Sequence, residues 1–281
     1  MKKHLSATLL TVIGGIACLT LRLLQNRYGF EPDTGLPISG SLYSVLLPTT
    51  LLLLAAAILL FCRQLPGEKE LSAYPFSALF DARCTAALML VVGGVLLWCL
   101  SGLAGLLSHG ELYTSTALGL FYPVSAITRR MNTLLSALLI PAALCFLPAI
   151  VSIRRGEGRQ INGNLLLLPV IYLILQLTIS FREMSINASQ QVYYIELLAR
   201  IFLTLSLYHL SSFAFRCGNA RRFTLYCIPA AILCITALAD TATLGDRLFF
   251  CGGGALTLGF LMLQLSALHD TKNDPPSCRN T

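Results

Sequence analysis

The chain has 281 residues, of which 56% are hydrophobic and only 12% are charged, and its formal net charge is +7. Soluble globular proteins carry about 25% charged residues, so this chain has too few charges to cover a surface that faces water. Its basic residues lie in small groups between apolar runs and form no patch interleaved with aromatic side chains, so nucleic acid is not indicated as a partner. The composition therefore predicts an integral membrane protein.

Long apolar runs recur along the chain and are separated by short polar connections. An α-helix rises about 1.5 Å per residue, so about 18 or more apolar residues cross the hydrocarbon of a bilayer. Continuous runs such as Leu51–Leu54 argue against transmembrane β-strands, which alternate polar and apolar residues. The predicted fold is all-α, a polytopic bundle of about eight transmembrane helices with short loops. We predict a single domain, 1–268, and a short disordered cytoplasmic tail, 269–281, with spans at 5–24, 45–62, 85–107, 132–153, 165–181, 195–215, 223–240 and 248–268.

The uneven distribution of Lys and Arg between alternate connections predicts the orientation, because short cytoplasmic connections retain these residues. With the N-terminus inside, most of the 20 Lys and Arg residues fall on the cytoplasmic side. Both termini are therefore predicted to be cytoplasmic, in a bacterial-type plasma membrane, with the lipid bilayer itself as the first partner. The basic residues left on the outer side are Arg22, Arg27, Arg129, Arg130, Arg182, Arg200 and Arg247.

Two segments allow more than one interpretation. The first apolar run follows Lys2 and Lys3, as in a signal peptide, but the further spans favour an uncleaved first helix. The outer connection 108–131 contains a moderately apolar stretch, 117–127, that is too short to span. It is predicted either to lie in the interface, with its aromatic side chains at the level of the headgroups, or to re-enter the membrane.

Sequence motifs that carry catalysis or hold a cofactor are not found. The chain has no C-x-x-C pair, glycine-rich phosphate loop, H-E-x-x-H or G-x-S-x-G. The segment Glu196–Arg200 resembles half of the E-E-x-x-x-R motif of the CAAX-type intramembrane proteases. Residue 195 is Ile, however, and His209 follows too closely to supply the later motif of that family. The sequence therefore predicts no enzyme, no cofactor and no metal site.

Polar side chains recur three or four residues apart on the fifth and sixth spans, which places them on one face of each helix. The fifth span carries Tyr172 and Gln176, with Glu183 just beyond its end, and the sixth carries Glu196 and Arg200. Polar groups within a bilayer must find partners inside the protein, so these two faces are expected to point away from lipid. Gln176 and Arg200 both lie roughly 7 to 8 Å inside the outer ends of their spans, and we expect them to meet.

Three further charged residues extend this polar layer on the outer side. Asp240 ends the seventh span, and Arg129 and Arg130 precede the fourth. The two arginines either bind an anionic group or anchor the chain to phosphate headgroups. Glu196 and Arg200 have the i,i+4 spacing of a helical ion pair, so a purely structural role is the alternative for them.

These residues predict an outward-facing polar pocket. The predicted function is transport, or the binding of a small anionic or zwitterionic solute or of a lipid headgroup. The alternative is a membrane-embedded sensor or assembly subunit that acts through a membrane partner protein. The predicted ligand-binding residues are Arg200, Glu196, Gln176, Glu183, Asp240, Arg129 and Arg130.

Overall fold

Apolar helices account for nearly all of the residues that the structure describes. The computed structural model describes residues 2–31, 38, 41–63, 65, 76–80, 84–108, 113–115, 121–123, 126–155, 162–185, 190–241 and 243–273. Eight helical segments of these residues are long and apolar enough to cross a membrane, if α5 and α6 are counted as one. The prediction of an all-α polytopic bundle is therefore confirmed. The helices are α1 (Lys2–Tyr28), α2 (Leu42–Cys62), α3 (Phe76–Leu79), α4 (Thr85–Leu107), α5 (Ala126–Leu144), α6 (Leu147–Arg155), α7 (Gly163–Ser185), α8 (Gln190–Ala214), α9 (Ala220–Ala237) and α10 (Leu244–Asn273).

Six of the long helices pack in a closed ring. Helix α10 contacts α4, α4 contacts α5, and the ring continues through α7, α8 and α9 back to α10. Helix α1 packs against α9 on the outside of the ring, and α2 packs against α1. Helix α10 also contacts α1 and α8, so it is the helix around which the bundle is organised. Lipid tails are as apolar as these side chains, so close packing rather than water exclusion holds the helices together.

Glycine allows α4 and α10 to approach each other closely. A Cβ atom added at Gly94 would lie 2.7 Å from Leu256 Cγ and 2.9 Å from the carbonyl oxygen of Gly252 on the facing helix. Such close backbone approach is typical of small residues at helix interfaces in membranes. A Cβ atom at the neighbouring Gly93 would have nothing within 4 Å. Glycine is therefore required at Gly94, where α4 meets α10, and not at Gly93.

Aromatic rings form a continuous column through the bundle. Centroids of successive rings lie between 4.7 and 6.0 Å apart, a range in which each pair contributes about 0.5–1.5 kcal/mol. Trp98 at its centre is fully buried, and its Nε1 donates a hydrogen bond to the carbonyl oxygen of Phe249 at 3.0 Å. The column begins in α3 and ends beside Arg200. In order it comprises Phe76, Phe80, Phe260, Phe146, Trp98, Phe249 and Phe250.

The fourth predicted span, 132–153, is two helices rather than one. Helix α5 ends at Leu144 and α6 begins at Leu147. Pro148 has no backbone N–H, so it cannot donate to the carbonyl group of Leu144 as a continuous helix would require. The backbone N–H of Phe146 donates instead to Ala143, three residues back, at 3.2 Å. The break leaves the Phe146 ring buried in the aromatic column.

Two predicted boundaries also shift. The seventh span, predicted as 223–240, is helix α9 followed by a turn at 238–240. The side chain of Asn219 caps α9 by accepting hydrogen bonds from the backbone N–H groups of Arg221 and Arg222. Asp240 therefore lies beyond the end of its helix rather than within a span. Helix α10 continues to Asn273, past the predicted end at 268, and the rest of the predicted disordered tail lies outside the described residues.

The connection 108–131, predicted to be outside, contains a short antiparallel pair of strands. Strand β1 (Tyr113–Ser115) pairs with β2 (Phe121–Pro123), and Thr114 lies opposite Tyr122. Helix α5 begins at Ala126, inside the stretch predicted to be interfacial or re-entrant. The paired strands are a feature that neither interpretation anticipated. How this connection lies relative to the membrane stays a prediction.

The orientation of the bundle is testable by cysteine labelling. We expect single cysteines introduced next to Ser39, Ser115 and Ser189 to react with a membrane-impermeant maleimide in intact cells, because all three lie in connections predicted to be outside. The native Cys217, which is exposed in a connection predicted to be cytoplasmic, provides an internal control. It should react only after the membrane is permeabilised. Protection of any introduced cysteine in cells where Cys217 reacts would reverse the orientation.

Candidate functional site

Arg22 is a fully buried cation near the C-terminal end of α1. Its Nε donates to both carboxylate oxygens of Asp240, at 2.8 and 3.0 Å, and its Nη1 donates to Gln25 Oε1 at 2.8 Å. Asn26 Nδ2 donates to the same carboxylate at 2.8 Å. The ring of Tyr194 lies 5.2 Å from the Arg22 Cζ atom. We call these five residues the Arg22 cluster; it joins α1 to α8 and to the turn after α9.

Helical spacing explains why α1 can hold Asp240 so completely. Gln25 and Asn26 follow Arg22 by three and four residues, so all three side chains lie on the face of α1 that packs against α9. Burial raises the pKa of the Asp240 carboxyl group above its ordinary value, and the hydrogen-bonded Arg22 guanidinium opposes that rise. The Arg22 guanidinium is thus engaged by protein groups on several sides.

A second buried arginine, Arg200, lies nearly three turns into α8, inside the ring of helices. Its Nη1 donates to Glu196 Oε2 at 3.2 Å, across one helical turn. Its Nη2 lies 3.9 Å from Asp246 Oδ1 on α10, which is an ion pair beyond hydrogen-bonding distance. The Phe250 ring lies 5.1 Å from the Arg200 Cζ atom. With Tyr172 and Gln176 of α7, these residues form what we call the Arg200 cluster.

The Arg200 cluster contains two buried polar atoms without hydrogen-bond partners. Arg200 is only 5% exposed, and its Nε makes no hydrogen bond. Gln176 Oε1 is also buried and accepts no hydrogen bond. A buried polar group without a hydrogen-bond partner lowers the free energy of unfolding by about 1–3 kcal/mol, and a charged group lowers it by more. The Arg22 cluster also contains an orphaned acceptor, Asn26 Oδ1, but among the orphaned atoms of the described residues only Arg200 Nε belongs to a charged group.

Tyr172 of α7 is 2% exposed and lies within electrostatic range of both Arg200 and Asp246. Gln176 follows Tyr172 by one helical turn, on the same face of α7 and toward its C-terminal end. Gln176 Oε1 makes no hydrogen bond with Arg200. The two orphaned atoms therefore belong to neighbouring helices at a similar depth.

Asp246 is held at the start of α10 by a helix cap. Its Oδ2 accepts a hydrogen bond from the Thr243 hydroxyl at 2.5 Å, and its backbone N–H donates to the same hydroxyl oxygen at 3.1 Å. This arrangement resembles a capping box, but the Asp246 carboxylate accepts from the Thr243 hydroxyl rather than from its backbone N–H. The cap holds the carboxylate beside Arg200, where its side chain is 41% exposed.

The structure brings some of the predicted ligand-binding residues together. Arg200 and Glu196 form the ion pair that their spacing indicated. Asp240 pairs with Arg22 instead of Arg200. Arg130 is exposed at the start of its span. The side chains of Arg129 and Glu183 lie outside the part of the chain that the structure describes.

Sequence reasoning did not identify Arg22, Gln25 or Asp246 as members of a polar cluster. Arg22 lies inside the first predicted span, and a cation within an apolar run indicates a buried partner. The spacing of Arg22, Gln25 and Asn26 on one helical face was a second signal. Asp246 had a weaker signal, since the sequence from Thr243 to Asp246 fits a helix cap. The identity of each partner depends on contacts between helices that are distant in the sequence.

The described residues contain no group of three His, Cys, Asp or Glu side chains placed to hold a metal ion. The chemistry that the Arg200 cluster offers is therefore charge pairing and hydrogen bonding. No protein-family model, curated protein or solved structure matches the chain.

Proposed function

We propose that the protein binds a small solute or a lipid headgroup from the predicted outer side of the membrane, through an anionic group that the ligand presents to Arg200. The observation that carries this proposal is the orphaned Nε of Arg200, a charged donor in a guanidinium that is 5% exposed. Arg22 shows the hydrogen bonds that a purely structural arginine of this bundle makes. Its Nε donates to Asp240, and its Nη1 donates to Gln25. Arg200 leaves the corresponding donor for another molecule.

The surroundings of Arg200 fit a binding site better than a structural ion pair. Its pair with Asp246 is long, at 3.9 Å, and the Asp246 side chain is partly exposed. The Phe250 ring supports the guanidinium from one side without using a hydrogen-bond donor. An anionic group at Nε would gain a charge-assisted hydrogen bond in a largely buried position, worth about 1.5–3 kcal/mol.

Replacing Arg200 with lysine is expected to remove ligand binding while the fold is kept. Lysine retains the positive charge beside Glu196, but it lacks the planar Nε–H donor. A ligand at about 100 times its Kd stabilises a protein by about 2.7 kcal/mol. We expect thermal stabilisation of the wild type by at least one member of a panel of carboxylates, phosphates, amino acids and phosphoethanolamine. Most of that stabilisation should be lost in Arg200→Lys.

Arg27→Ala is the matched control for this experiment. Arg27 is an exposed arginine at the same end of the bundle, and its removal should leave the stabilisation by the ligand intact. Equal stabilisation of wild type and Arg200→Lys would contradict the proposal. The proposal would also be contradicted if none of the compounds and none of the lipid compositions stabilised the wild type, because the cluster would then be only an ion-pair network.

A further inference from the structure

Two carboxylates lie within 4 Å of the Arg200 guanidinium, Glu196 at 3.2 Å and Asp246 at 3.9 Å. Asp240 is balanced by its own partner, Arg22. The exposed Arg247 directs its Nε to the carbonyl oxygen of Thr241 in the turn between α9 and α10. A ligand that brought only negative charge to Arg200 would place that charge close to both carboxylates.

Hydrogen-bond acceptors are also in excess at this site. Gln176 Oε1 is buried without a donor, and a carbonyl oxygen repels an anionic group. Asp246 uses Oδ2 to accept from Thr243, whereas its Oδ1 lies 3.9 Å from the closest Arg200 nitrogen. Against these acceptors stands the single orphaned donor, Arg200 Nε. The site therefore offers one position for an anion, at Arg200 Nε, and acceptor oxygens on α7 and α10 for a group that donates hydrogen bonds and carries positive charge.

We infer that the ligand is a zwitterion with an ammonium group, an inference that rests on the proposed function. Its carboxylate or phosphate accepts a hydrogen bond from Arg200 Nε. Its ammonium group donates to Gln176 Oε1 on α7 and to Asp246 on α10. A bound zwitterion satisfies both orphaned atoms without adding net charge, which a simple anion cannot do. Free amino acids and the headgroup of phosphatidylethanolamine share this chemistry.

Paired probes that differ only in the ammonium group test the inference. We would compare alanine with propionate, and phosphoethanolamine with inorganic phosphate, by calorimetric titration of the purified protein in nanodiscs made of phosphatidylglycerol. The wild type should bind at least one zwitterion at least tenfold more tightly than its partner compound. Nanodiscs made of phosphatidylethanolamine form the lipid arm. If they stabilise the protein relative to phosphatidylglycerol nanodiscs while no soluble zwitterion binds, the source of the zwitterion is the lipid.

Asp246→Asn is the variant that isolates the ammonium position. Asparagine keeps the size of the side chain and an oxygen that can accept from Thr243, but it removes the negative charge. We expect the affinity for the zwitterion to fall at least tenfold and its advantage over the matched anion to shrink. Asp274→Asn, a charge change in the predicted cytoplasmic tail, should leave both affinities unchanged.

The outcomes separate this inference from the proposed function. If the anions bind as tightly as the zwitterions and Arg200→Lys weakens them, the proposed function stands and the zwitterion inference is wrong. If Asp246→Asn leaves the preference for zwitterions intact, the ammonium position is wrong. If neither soluble probes nor phosphatidylethanolamine bind, the proposed function itself fails.

Discussion

Replacing Asp240 with alanine is expected to lower the free energy of unfolding by about 3–5 kcal/mol, the typical loss when one partner of a buried ion pair is removed. Arg22 is fully buried, and Asp240 accepts hydrogen bonds from both its Nε and Asn26 Nδ2. The variant would leave the guanidinium charge without its counterion in a position that water does not reach. Unfolding by a denaturing detergent in mixed micelles would measure the change.

The double variant Arg22→Gln with Asp240→Asn is the control. Two neutral side chains can hydrogen-bond to each other and to Asn26, so most of the lost stability should return. A double variant as unstable as Asp240→Ala would mean that the loss comes from the turn after α9 rather than from an unpaired charge. A loss below about 1 kcal/mol in Asp240→Ala would contradict the role of the Arg22 cluster as the connection between α1 and the ring.

Replacing Gly94 with alanine is expected to cost about 1–3 kcal/mol, as overpacking in a close-packed core does. The added Cβ atom would lie 2.9 Å from the carbonyl oxygen of Gly252 and from the backbone nitrogen of Leu256. These are backbone atoms, so no side-chain rotation relieves the contact, and α4 and α10 must move apart. The same detergent titration would report the loss.

Gly93→Ala is an adjacent control with the opposite expectation. A Cβ atom there meets nothing within 4 Å, and alanine is favoured over glycine in a helix by about 0.5–1 kcal/mol. The variant should therefore be as stable as the wild type or slightly more stable. Two variants that lose the same stability would show that helix geometry, rather than the α4–α10 contact, is responsible.

The sequence predicted the class of fold well because a bilayer imposes a long apolar run on every span. Where the prediction differed, a local feature competed with the apolar pattern. Pro148 interrupts the fourth span, but the hydropathy of that span stays high, so hydropathy does not indicate the break. Helix α9, which is capped by Asn219, begins at Ala220, three residues before the start at 223 that the apolar run predicts. Hydropathy alone does not register such caps and breaks.

The candidate site was predictable only in its local part. Glu196 and Arg200 are separated by one helical turn, so their pairing could be inferred from spacing. Arg22 and Asp240 are 218 residues apart, and no periodicity within one helix indicates that α1 packs against α9. Counting Arg22 among the basic residues on the outer side gives no indication that its side chain is buried. The excess of carboxylates around Arg200 likewise appears only when α8 and α10 are placed side by side.

The central position of α10 has a consequence for the biogenesis of the protein. This helix supplies Asp246 and Phe250 to Arg200, and Gly252 to α4, yet it follows every one of those partners in the chain. During synthesis, which proceeds at about 5–20 residues per second, the earlier helices are inserted before the ring can close. During that interval Arg200 and Trp98 lack their partners on α10, and they contact lipid or the insertion machinery instead. The growing chain is thus most vulnerable to quality-control proteolysis in the seconds before α10 leaves the ribosome.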